Sequence, residues 1–186
     1  MARGLRFLTK RRLTTSETSD IFARFRHMDD RTCAIILGAM LDNSLERLLL
    51  LHMEPLSKDE RERLLYGGGP LGSFSAKLQI SSAFGLIGPK TKHDLQILNE
   101  VRNVFGHAAH GITFRNRAIK NRLTVMHVYP VLDMVMRAFK RDPIRKYDTT
   151  RGRFLLAAAS FVNTIDATCK NKRPKRLERA IQLLDE

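Results

Sequence analysis

Arg102, Asn103 and His107 fall within the six-residue run Arg102-Asn103-Val104-Phe105-Gly106-His107. A guanidinium can stabilise developing phosphate charge. An imidazole with a pKa near about 6.5 can move protons at neutral pH. Phosphoryl chemistry is therefore one reading of the run. Five steps along an ideal helix set Arg102 and His107 about 140° apart, so they converge only if the last turn distorts at Gly106. The other reading is structural. Arg102 would pair with Asp42 or Glu46 on a neighbouring helix, and His107 would cap the C-terminus of its own helix, where cations are favoured. On the residues alone the structural reading outweighs the catalytic one, because ion pairs also put charge inside bundles. His93 and His110 add no metal-ligand spacing, and no metal or other cofactor is expected.

A second candidate is the loop Tyr66-Gly-Gly-Gly-Pro-Leu-Gly72, followed by Ser73. Gly69, Pro70 and Gly72 with Ser73, Ser75 and Lys77 could offer backbone N–H groups, a helix N-terminus and a cation to an anion. The string lacks the GxxxxGK[ST] order, and no apolar strand precedes it. A tight connection that lets two helices pack closely is the better reading. Ser73 and Ser75 read as cap and packing residues, since no GxSxG elbow surrounds them.

These groups need elements to hold them, and the apolar spacing is helical almost throughout. Asp29-Asp30 precede an i, i+3/i+4 series from Ile35 to His52 that Pro55 ends. Asp42 and Glu46 share one face of that helix. A short charged helix is expected over Lys58–Leu65. Ser73 is placed to cap a helix running to Phe84, and Pro89 to begin the next, which fades at 106–111. Residues 112–128 are the least clear, with brief alternation around 123–128. Helices follow over Met126–Phe139, Phe154–Ala167 and Leu177–Leu184. The expected fold is all-α, one bundle of about six or seven helices. Residues 1–28 would form a basic arm and first helix, 29–168 the main domain and 169–186 a basic C-terminal helix.

The chain has 186 residues, 33 Lys and Arg against 19 Asp and Glu, and a formal charge of +14. Its hydrophobic share of 43% is enough for a core and excludes wholesale disorder. No apolar run reaches the roughly 18–20 residues of a membrane span. The basic N-terminus lacks a secretory h-region; its Arg and Ser content touches on a transit peptide, but a solvated arm fits better. Two distant cysteines, Cys33 and Cys169, argue against a disulfide framework or structural zinc. A cytoplasmic location is expected. The positive excess lies in residues 111–186, net +10 against +4 for 1–110. Arg115, Arg117, Lys120 and Arg122, with Lys172, Arg173, Lys175 and Arg176, are the nucleic-acid-facing candidates, for DNA or RNA. The bland alternative is a solvated basic face, and no helix-turn-helix, RNP or zinc-finger pattern is present. Leu48–Leu51 and Met126–Met136 carry more apolar residues than one inward face needs, which leaves room for a homodimer.

Taken together, Gly69-Pro-Leu-Gly-Ser-Phe-Ser-Ala-Lys-Leu78, Ala83-Phe-Gly-Leu-Ile87, His93-Asp-Leu95 and Val101-Arg-Asn-Val-Phe-Gly-His107 resemble the signature of the MltR family, the mannitol operon repressors of bacteria. The preceding segment, with Ala39, Leu41-Asp42, Leu45-Glu46 and Leu48-Leu49, is similar to the family's acidic helix. Arg153-Phe-Leu155 resembles the start of its C-terminal helix. The likeness is close over residues 29–108 and looser over 150–167. The chain departs from the pattern in its basic arm, at Gly106 where the family has Ala, and in the basic segment 112–148. The resemblance implies an all-helical regulator, a repressor of a sugar-alcohol operon. Such a protein would be no enzyme, and would act through a protein partner or through DNA contacts that use no standard motif. The Arg102…His107 spacing is also similar to the Rx4H element of HEPN domains. That likeness implies metal-independent RNA cleavage by Arg102, Asn103 and His107.

Overall fold

Asp29 starts the first helix. Its carboxylate accepts from the Thr32 N–H at 2.9 Å and from the Thr32 hydroxyl at 2.6 Å, which holds its pKa below the ordinary carboxylate value. The helix, α1, runs Asp30–Leu51. In the computed structural model, residues 24, 25, 27–53, 55–66, 68–138 and 149–170 are described. The outer parts of the basic arm and of the C-terminal helix, with Lys172, Arg173, Lys175, Arg176 and the 177–184 segment, lie outside them.

Six further helices follow among the described residues: α2 Lys58–Leu65, α3 Phe74–Ala83, α4 Pro89–His107, α5 Arg117–Thr124, α6 Val128–Ala138 and α7 Thr150–Lys170. The described residues contain no strand, so the protein is all-α. The brief alternation near 123–128 is a helix end instead, because Leu123 and Ile119 turn inward at helical spacing. Local chemistry sets most of the helix starts. Ser57 and Glu60 form a reciprocal capping box on α2. Ser73 caps α3, and Pro89 opens α4.

α1 is the central element and packs against α7, α4 and α3. It buries Leu37, Leu41, Leu45, Leu48 and Leu49 together with Ser44 and Glu46, so more than one of its faces is covered. Phe105, Phe114 and Phe154 stack in series, with centroids 4.7 and 5.0 Å apart, and tie α4 and the loop after it to α7. Polar clamps fix the ends. Arg151 on α7 donates to Asp30 Oδ1 and to the carbonyls of Phe25 and Met28. Arg47 and Ser44 on α1 both donate to Asp166 on α7. Asp94, buried in the second turn of α4, accepts from the backbone N–H of His127 at 2.9 Å and of Val128 at 2.8 Å, and so anchors the start of α6. No helix among the described residues is long and apolar enough to cross a membrane.

Candidate functional site, a polar cleft on α1, α3 and α4

Lys77 is the residue around which the cleft is built. It lies on α3 with only 2% of its side chain exposed. Its Nζ sits 2.7 Å from Asp42 Oδ2 and 3.4 Å from Glu46 Oε2. Asp42 and Glu46 are one turn apart on α1, so a single ammonium reaches both. The Tyr66 hydroxyl, at the end of α2, donates to Glu46 Oε1 at 2.6 Å. Glu46 is itself buried. A buried cation and a buried anion each need a partner, and here each supplies the other's. Asp42 Oδ1 is buried without a hydrogen-bond partner among the described residues.

Arg102 was expected to pair with these acids, and it does not. Its stem crosses α1 over Gly38, where a β-carbon would collide with Arg102 Cγ. Its Nη1 donates instead to Asn103 Oδ1 at 2.8 Å. The long straight stem of Lys77 reaches between the two carboxylates from the neighbouring α3, while Arg102 turns along the rim. Gly38, Asp42, Asn43, Glu46, Tyr66, Gly72, Ser73, Ser75, Lys77, Asn99, Arg102 and Asn103, with Ala39, Leu65 and Phe74, line one cleft of about 530 Å³.

His107 does not join them. α4 continues unbroken through Gly106, so the distortion that would bring Arg102 and His107 together is absent, and His107 is exposed as the last residue of the helix. Nor does His107 supply the hydrogen bonds that cap α4. Arg31 does so from α1, with Nε on the Phe105 carbonyl at 2.7 Å and Nη2 on the Ala108 carbonyl at 2.6 Å. A guanidinium fork can hold two carbonyls at once.

The glycine-rich loop is a close connection. A β-carbon on Gly69 would run into the carbonyls of Arg63 and Leu64, and the Leu71 N–H donates to the Leu64 carbonyl at 2.9 Å. Ser73 Oγ is taken up by the Ala76 N–H at 3.1 Å, while Pro70 and Ser75 are exposed. Among the nucleic-acid candidates, Arg115, Arg117 and Lys120 are exposed. Arg122 is committed to Glu100 by two bonds of 2.6 and 3.0 Å, which lower the Glu100 pKa and raise that of Arg122.

Gly38, Asn43, Tyr66 and Asn99 were missed as site residues. An isolated glycine inside the apolar series of α1 was the available signal for Gly38, since such a glycine often marks a close packing contact. Asn99 lies one turn before Arg102 and Asn103, which is the spacing of a shared helix face.

The fold has a solved counterpart, described as the X-ray structure of the MtlR-HPr complex from Escherichia coli. It matches at a TM-score of 0.59 and 20% identity, over 80% of this chain and 97% of the matched chain. The chain has the MtlR fold. At this identity the likeness is one of fold. No protein-family model and no curated protein matches the chain.

Proposed function

We propose that this protein is a transcriptional regulator of the MltR type, a repressor of a sugar-alcohol operon, and that it works by docking a protein partner of the HPr kind. The observation that carries the reading is the fold match over 97% of a chain from the MtlR-HPr complex. The cleft supports it. Its floor is rigid, because Lys77, Asp42, Glu46 and Tyr66 are bonded to one another. Its rim carries Arg102 and Asn103, half-buried and open to a neighbour. Arginine in such a setting is a frequent anchor of protein interfaces.

The test is a titration of the purified chain with the HPr of its own cell. A saturable complex is the expected result, and Arg102→Ala should weaken it about tenfold or more, equivalent to at least about 1.4 kcal/mol. No complex at high micromolar HPr would sink the partner reading. An unchanged affinity in Arg102→Ala would move the interface off the cleft. Deleting the gene should raise the transcripts of a sugar-alcohol operon, and unaltered transcripts would end the regulator reading.

A second reading has one observation behind it. Arg115, Arg117 and Lys120 are exposed and carry no ion pair among the described residues, so they are available to phosphates. Promoter DNA titrated at several salt concentrations would then bind with a slope of about −0.9 per phosphate neutralised. A flat response removes this surface from nucleic-acid binding.

A further inference from the structure

We infer that His93, Asp94 and His127 form a binding site for a divalent cation of the zinc class. The three residues come from the second turn of α4 and from the residue before α6, and one ligand atom of each lies within 4.8 Å of the others. Both imidazoles turn Nδ1 toward the same carboxylate oxygen. His127 Nδ1 is 3.1 Å and His93 Nδ1 is 3.3 Å from Asp94 Oδ1. Ligands at about 2.0–2.1 Å from a tetrahedral zinc stand about 3.3–3.4 Å apart, so these spacings are those of a coordination edge. The rings meet edge to face, with centroids 4.9 Å apart.

The hydrogen bonding points the same way. Asp94 Oδ1 also accepts the His127 backbone N–H at 2.9 Å. Three nitrogens therefore converge on one oxygen, and a carboxylate oxygen offers only two lone pairs. A cation seated between the two Nδ1 atoms and Oδ1 relieves that crowding, each ring presenting an unprotonated Nδ1 to it. The anchor on α6 survives the exchange, because Asp94 Oδ2 holds the Val128 N–H independently at 2.8 Å. Access is open. The Asp94 carboxylate is fully buried, yet the His93 and His127 side chains are 37% and 42% exposed. Two imidazoles and one carboxylate with a fourth position facing solvent is a donor set that zinc accepts. Sequence spacing hid the site, since 33 residues separate Asp94 from its second histidine.

The test uses the tag-free full chain and cobalt(II) as a spectroscopic probe, followed by zinc. One equivalent of cobalt should give the visible band of a four-coordinate ion, and one equivalent of zinc should displace it. Zinc should also raise the Tm. His93→Ala and His127→Ala should each weaken cobalt binding at least tenfold. His110→Ala, at an exposed histidine outside the cluster, should leave binding intact. Both cluster variants keep the backbone N–H groups that Asp94 holds, so their metal-free Tm should stay close to that of the parent. A parent chain that gives no band overturns the site without any variant. A band that persists undiminished in either folded variant overturns it equally.

Discussion

Lys77 is the residue on which the cleft depends. It is buried between two carboxylates, and removing one partner of a buried ion pair strands the other. Lys77→Met should therefore cost roughly 3 kcal/mol in urea unfolding, toward the lower end for such losses because Asp42 is about a third exposed. Adding Asp42→Asn and Glu46→Gln should return part of that loss, and additive effects would show that the pair is not coupled. Tyr129 is the opposite case. Its hydroxyl is buried with no hydrogen-bond partner among the described residues, and burial pushes the phenol well above its ordinary value. Tyr129→Phe should leave stability unchanged or raise it by up to about 1 kcal/mol at pH 7. The sign with pH follows. Below about pH 10 the phenol is neutral in both states, so its titration adds no pH dependence to stability there. As pH climbs from there through the raised folded value, the unfolded phenol ionises first and stability falls. A parent chain that loses stability above pH 10 no faster than Tyr129→Phe would refute this.

At the scale of the helices, what could be read beforehand was what short-range chemistry controls. Ser73 as a cap, Pro89 as a first residue and the charged stretch Lys58–Leu65 all depend on neighbours within four positions, and each helix starts where its residues say it should. Ser73→Ala should cost about 1 kcal/mol, while Ser73→Asp should cost nearly nothing, because a carboxylate caps as well as a hydroxyl. Equal losses in both variants would mean that Ser73 is held for some other reason. The partners across the bundle were not legible in this way. Lys77 and Arg102 stand on different helices, and both lie far in sequence from the acids of α1. Which cation enters depends on how α3 and α4 lean on α1, and the stem of Arg102 crosses α1 at Gly38. Arg31 at the end of α4 was hidden for the same reason, since 74 residues separate it from Phe105.

Across the whole molecule, the fold class was readable because helical spacing recurs from Ile35 to Ile165, and the resemblance over residues 29–108 supplied the expectation of a regulator. The arrangement of the bundle was not. α1 and α7 lie at opposite ends of the described residues and form the most extensive pair among the described helices. The Arg151 contacts to Phe25 and Met28 span more than 120 residues. The face of α1 that packs on α7 therefore stays uncovered until residue 150 and its successors have been synthesised. A chain cut before Thr150 should stay unfolded or be captured by chaperones, whereas one cut after Lys170 should melt cooperatively. Cooperative melting of the shorter fragment would mean that α1 finds its cover elsewhere. Such delayed closure also favours slow folding, because contacts this remote form late. Among the described helices, the last to leave the ribosome is thus the one that completes the first.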